Sequence, residues 1–149
     1  LLLGNFITAS SVILRHNWFC ELGGFDESLP VCEDWDMWLR FSALGGKAAV
    51  CREPLTRYRW HDANISKNHQ RVCAVRLKVL QRALESPRGR QVPARLARKA
   101  LAECWRCSAW HAQATLRWKA LQWYLRAAWY EPFNLDTYKQ IIKCCIGRD

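Results

Sequence analysis

The chain has 149 residues, of which 50% are hydrophobic and 24% are charged, and it carries a formal net charge of +10. This balance is typical of one globular domain, or of part of one with an appendage, and it excludes an intrinsically disordered chain. No apolar run reaches about 18 residues, which argues against a membrane-spanning helix, and the first residues lack the basic flank of a signal peptide.

The positive charge is concentrated in the second half. Residues 1–70 carry seven Lys or Arg against eight Asp or Glu, whereas residues 71–149 carry sixteen against five. A nearly neutral part joined to a strongly basic part indicates two segments with different roles.

Apolar spacing in the first half predicts short elements of both kinds, with glycine pairs ending the helices. They are a buried strand over residues 5–15, a helix over 17–22, a helix over about 34–44, and strands over 48–51 and 55–60.

From about residue 66 the pattern is helical throughout, and the turn residues divide it. Helices are predicted over about residues 66–84, 93–112, 115–130 and 135–146. One part of this run is spaced like the second helix of a tetratricopeptide-type (TPR-like) hairpin, and a single such hairpin predicts an all-α extension rather than a solenoid. The residues with that spacing are Ala120, Tyr124, Ala127, Ala128 and Pro132.

Three segments of the first half carry the strongest functional pattern. Residues 23–27 read GGFDE, residues 33–40 read EDWDMWLR, and residues 53–61 read EPLTRYRWH. In this order and spacing they resemble the second half of an inverting glycosyltransferase of family 2, over about residues 4–68.

The resemblance implies an α/β fold class. Residues 1–68 would form the acceptor side of a GT-A domain, an α+β fragment, and residues 69–149 would form a basic helical extension. The half that binds the nucleotide would precede this chain, so we expect a C-terminal fragment that is inactive by itself.

By resemblance, the enzyme transfers a sugar from a nucleotide-diphosphate donor to a glycan or lipid-linked acceptor, as in polysaccharide biosynthesis. Asp34 is then the general base that removes the acceptor's proton, and Glu33 supports it or contacts the acceptor. Trp35 and Asp26 are expected to contact the acceptor. Three of these residues have a structural alternative: Glu33 and Asp34 are typical of a helix N-terminus, and Trp35 equally fits a helix core.

The resemblance also places Arg59 and His61 beside the diphosphate. A divalent metal, Mn or Mg, would neutralise the leaving group, with His61 beside it either as a ligand or as a hydrogen-bond donor, and with the main Asp-x-Asp ligands absent from this chain. The structural alternative for Arg59 is a salt bridge to Glu53 or Asp62. Asp36 and Arg40, four residues apart, predict an ordinary pair on the helix surface.

The eight cysteines predict reduced core thiols in a cytosolic protein, since no secretory segment accompanies them. Cys20, Cys32, Cys51 and Cys73 stand singly among apolar neighbours. Cys104 and Cys107 with His111 follow one helical face, but a fourth zinc ligand is missing and a continuous helix splays such ligands.

Three interpretations of the basic tail stay open. Its cations alternate with tryptophans, which fits a solvated helix face with tryptophans in the core, contact with an anionic membrane surface, or binding of nucleic acid, the weakest of the three. The sequence thus supports two functions. One is the glycosyltransferase, located in the cytoplasm or peripherally on the inner face of the membrane, and the other is a non-enzymatic basic helical module that binds a membrane, a protein or nucleic acid.

Overall fold

The computed structural model describes residues 1–59, 61 and 69–146. The described part of the chain folds into α-helices joined by turns and two short 3-10 segments, Ala9–Ser11 and Gly89–Gln91. The α-helices in chain order are α1 (His16–Glu21), α2 (Glu33–Ala43), α3 (His69–Glu85), α4 (Ala94–Ala112), α5 (Arg117–Tyr130) and α6 (Leu135–Ile146).

Helix α2 begins and ends at residues with unusual backbone angles. Cys32 precedes it in the left-handed region, at φ +62°, which is an uncommon conformation for a residue other than glycine. Three acidic residues in its first turn complement the positive end of the helix dipole. Gly45, at φ +80°, ends it where a side chain would be strained.

The second half is a succession of helical hairpins in which α4 packs against α3 and α5, and α5 packs against α6. Small residues make the close approach of these helices possible. Ala109 and Ala112 of α4 face Ala120 of α5, and Tyr124 fills the remaining space beside them. The Tyr124 hydroxyl donates a hydrogen bond to Gln113 in the α4–α5 turn at 3.0 Å, so its polar end is satisfied.

The largest buried cluster joins α2 to α3 and α4. Trp35 and Leu39 of α2 pack there against Val79 and Leu80 of α3 and against Cys104 of α4. Fully buried aliphatic side chains such as Leu80 each contribute about 2 kcal/mol through removal from water. This cluster fixes the acidic start of α2 relative to the hairpins.

The predicted α/β fold class is wrong. The described residues contain no strand, and residues 5–15, 48–51 and 55–59 form no paired ladder. A strand needs a neighbour that satisfies its backbone N–H and C=O groups, and these segments have none within the described ranges. The apolar side chains of this segment are divided: Phe6 is 79% exposed and Ile13 is fully exposed, whereas Ile7, Val12 and Leu14 are half-buried against Leu22, Met37 and Trp38.

The predicted helices are confirmed within a few residues at each end. The short helix before the first glycine pair, the helix that starts at the acidic segment and the four helices of the tail are all present. Trp60, which ends a predicted strand, and residues 62–68, which include Asp62 and the predicted domain boundary, lie outside the described residues. Across the described ranges, no helix is both long enough and apolar enough to cross a bilayer.

Candidate functional site

Glu33 and Asp34 open α2 and lie half-buried at its N-terminus. One carboxylate oxygen of Asp34 accepts a hydrogen bond from the backbone N–H of Trp35 at 2.7 Å. The side chain of Cys32 makes no capping bond, so Asp34 satisfies an N–H that the helix itself leaves free. The capping role of Asp34 is therefore visible, whereas its role as a general base stays a prediction.

Trp35 lies in the main core at 1% exposure, with its indole N–H donating to the carbonyl of Leu1 at 3.0 Å. The guanidinium of Arg76 stands over its ring, 5.5 Å from the centroid. The arrangement corresponds to the core alternative for this residue, because a ring so covered has no free face for a sugar.

Asp26 belongs to a charged network that ties α1, α2 and α3 together. Asp36 is 3% exposed and accepts hydrogen bonds from Arg40 at 2.8 Å and from Arg82 at 3.4 Å. Arg82 also donates to Asp26 at 2.6 Å. The hydrogen bond from the Ser28 hydroxyl, followed by that from Arg82, holds the pKa of Asp26 well below its ordinary value.

Arg40 completes this network from the other side of Asp36. It donates to the carbonyls of Leu22 and Gly24, the latter at 2.8 Å, which anchors the turn after α1 to α2. The pair of Asp36 and Arg40 expected on the helix surface thus exists, but its carboxylate is buried. The spacing of residues 36 and 40 predicts this pair. It does not predict the contact with Arg82, which lies on α3, 46 residues further along the chain.

Arg59 and His61 lie exposed on the chain that follows α2, and the network around Asp36 does not include them. Nowhere in the described part of the chain do three His, Cys, Asp or Glu side chains stand close enough to hold a metal ion. The main ligands of the expected Mn or Mg site were expected outside this chain, so that site stays a prediction. The cysteines with His111 form no such set either.

An open cavity of about 610 Å³ lies beside the N-terminal segment. Its walls are mostly apolar and carry no charged side chain, so it offers no cationic side chain to a phosphate. The lining consists of residues 1–6 together with Leu39, Ser42 and Leu96.

Most of the exposed large apolar side chains in the described part of the tail belong to α5, α6 and the turn between them, with Trp110 of α4 exposed as well. On α5, Trp118 is 72% exposed, Trp129 is 81% exposed, and Leu125 lies between them on the same face. On α6 the exposed side chains follow the face opposite the buried Thr137 and Cys144. We call the full set the α5–α6 apolar surface: Trp118, Leu125, Trp129, Phe133, Leu135, Tyr138, Ile142 and Ile146.

Cations stand beside this surface. Lys119 lies 5.3 Å from the ring centroid of Trp123, and Arg126 lies 4.9 Å from that of Trp105. Both cations are exposed, and they directly follow the surface residues Trp118 and Leu125 in the chain. Lys143 is exposed on α6. The tryptophans are thus divided between two environments, because Trp105 and Trp123 are half-buried between α4 and α5, unlike the exposed pair of α5.

Two other cations of the tail hydrogen-bond to helix ends of the same chain. Arg98 donates to the backbone carbonyls of Trp129 and Tyr130 at the end of α5. Arg117 donates to the carbonyls of Cys144 and Cys145 at the end of α6. These guanidinium groups satisfy carbonyls that a helix end leaves without partners.

Comparison with protein-family models, with curated proteins and with solved structures finds no match for the chain. Together with the absence of strands in the described ranges, this overturns the resemblance to family 2 glycosyltransferases and their GT-A fold. The exposed aliphatic residues of α6 were not recognised in the sequence, although their spacing at residues 135, 142 and 146 was available as a signal.

Proposed function

We propose that the chain is a helical module that binds peripherally to an anionic membrane through the α5–α6 apolar surface. The observation that carries this proposal is the exposure of Trp118 and Trp129 on one face of α5, beside Lys119 and Arg126. Exposed aromatic groups next to cations are the combination that inserts at a lipid interface and contacts anionic headgroups.

The energetic argument combines two contributions. Each tryptophan transferred from water into the headgroup region contributes roughly 1–2 kcal/mol through its apolar area. Each cation held near an anionic surface adds about 1 kcal/mol, and salt weakens this second contribution. The tryptophans and the cations together therefore favour binding to an anionic bilayer over binding to a neutral one.

The aliphatic members of the surface favour lipid over nucleic acid. Leu135, Ile142 and Ile146 are exposed on α6 and have no group that binds a phosphate or stacks on a base. Nucleic-acid sites use cations and aromatic faces, whereas exposed isoleucine and leucine gain from contact with hydrocarbon.

Cosedimentation with lipid vesicles tests the proposal. Vesicles of phosphatidylcholine with phosphatidylserine should retain the protein, and those of phosphatidylcholine alone should retain much less. Replacing Trp118 and Trp129 together by Ala should weaken binding at least about tenfold, the equivalent of 1.4 kcal/mol. Trp110→Ala is the matched control, because it removes an exposed tryptophan from α4 instead.

Three results would count against the proposal. They are equal retention by neutral and anionic vesicles, an equal loss in the Trp110→Ala control, and absence of vesicle binding in a protein that binds single-stranded RNA through the same two tryptophans. The last outcome would favour the nucleic-acid interpretation.

Transfer of a sugar to a glycan or lipid-linked acceptor is a second candidate, with Asp34 as the general base. The observation in its favour is that Asp34 lies half-buried at a helix N-terminus, fixed by the N–H of Trp35. In the natural protein that carries this chain, Asp34→Asn should abolish transfer and leave affinity for the nucleotide sugar nearly intact. Equal loss of both, or full activity, would refute the role.

A further inference from the structure

Four thiols from three parts of the fold surround the side chain of Arg76. Cys32 precedes α2, Cys73 lies on α3, and Cys104 and Cys107 lie on α4. All four interact electrostatically with Arg76. The four sulfurs do not converge on one point, since no metal-holding group of three exists in the described ranges.

Arg76 is half-buried and directed at one of these sulfurs. Its Nη1 donates a hydrogen bond to Sγ of Cys107 at 2.9 Å, while the guanidinium also covers the ring of Trp35. Within the described ranges it forms no ion pair with a carboxylate. A guanidinium fixed against a sulfur stabilises negative charge that develops there during a reaction.

The thiols of the cluster differ in their environments. Burial raises the pKa of Cys32 to about 11 and that of Cys104 to about 12, and burial likewise raises the pKa of Cys73. These three sulfurs are therefore kept protonated and unreactive. Cys107, like Cys32, is half-buried, and of the four thiols it is the one that receives a hydrogen bond from Arg76.

We propose that Cys107 is an oxidation site for hydrogen peroxide or a small organic hydroperoxide, with Arg76 as its positioning residue. The Cys107 thiol loses its proton and its sulfur attacks one peroxide oxygen. An S–O bond forms, the O–O bond breaks, and the departing hydroxide (or alkoxide) takes up the proton to leave as water (or an alcohol). The sulfur is oxidised by two electrons to a sulfenic acid, and the peroxide is reduced by two. This site is independent of the α5–α6 apolar surface.

The test is quantitative labelling of the whole chain. The folded protein is treated with hydrogen peroxide, the sulfenic acid is trapped with a cyclic 1,3-diketone, and each cysteine is measured by mass spectrometry. Cys107 should react about tenfold faster than Cys51 and Cys145, which are exposed thiols outside the cluster. Arg76→Ala should reduce the rate at Cys107 to that of the exposed thiols.

A second measurement uses the unaltered protein, so its result does not depend on whether the Arg76→Ala variant folds. In urea the advantage of Cys107 over Cys51 and Cys145 should disappear, because the contact with Arg76 no longer exists. Two results would overturn the proposal: a folded protein in which Cys107 reacts no faster than Cys51 and Cys145, or an advantage that survives unfolding.

Discussion

Arg40→Ala is the substitution that should most clearly reveal the network around α2. The side chain of Arg40 provides a hydrogen bond to the buried carboxylate of Asp36 at 2.8 Å and two to the carbonyls of Leu22 and Gly24. Truncation removes all three at once. Asp36, at 3% exposure, is left with Arg82 as its cationic partner at 3.4 Å.

The expected cost follows from burial. A hydrogen bond to a charged group contributes about 1.5–3 kcal/mol, and breaking a buried ion pair costs about 3–5 kcal/mol. Because Arg82 still reaches Asp36 and water can enter the vacated space, we expect the free energy of unfolding to fall by about 3 kcal/mol. For a chain of this length that lowers the Tm by about 6–12 °C.

Urea unfolding followed by tryptophan fluorescence measures this change, with an unaltered m-value as the check that both states remain comparable. Arg82→Ala is the matched control. Its side chain is 45% exposed and its bond to Asp36 is longer, so solvent screening should limit the loss to about 1 kcal/mol. Equal losses in the two variants would refute the claim that Arg40 anchors the turn to α2.

Three further variants test other parts of the fold. Asp26→Asn should make the Tm depend less on pH in the acid range. The lowered pKa of Asp26 stabilises the fold above the ordinary value of 3.8, and this contribution is lost as the pH falls below it. Thermal melts at a series of pH values measure the difference. Gly89→Ala should cost more than about 2 kcal/mol in urea unfolding, because a Cβ would overlap backbone atoms of Ala83 and Leu84 at the end of α3. Ala127→Leu should cost about 1–3 kcal/mol by overpacking a fully buried position of α5, and an unchanged Cm would contradict the close packing.

The helices could be predicted from sequence because their signals are local. The apolar period of α2, the glycines after α1 and α2, and the turn between α5 and α6 each act within a few residues of chain. Where the described ranges allow a comparison, their ends in the structure lie within two residues of the predicted ends, and several coincide.

The strands could not be judged from local pattern alone. The apolar residues between Asn5 and Arg15 suggest a strand in isolation, but a strand depends on a partner that sequence spacing does not reveal. The same limit explains the wrong family assignment: segments 23–27 and 33–40 have the right order, yet their surroundings are helical.

The candidate sites show the same difference between local signals, which the sequence contains, and contacts between distant residues, which it does not reveal. The capping position of Asp34 and the pair of Asp36 with Arg40 follow from helix spacing, so the sequence contained them. Arg82 and Arg76 act on residues more than thirty positions away, and only the packing of α3 against α2 and α4 brings them there. Solvent exposure could not be predicted either, since the sequence does not distinguish the half-buried Trp105 from the exposed Trp118.

The arginines that cap helix ends alter what the net charge of the tail means. Arg98 and Arg117 are directed at the ends of α5 and α6, where backbone carbonyls already hold their N–H groups. These bonds leave both charges in place, because a carbonyl is neutral, but they fix where the charges stand. Replacing either arginine should therefore change the stability of a helix end as well as the charge that an anionic partner meets.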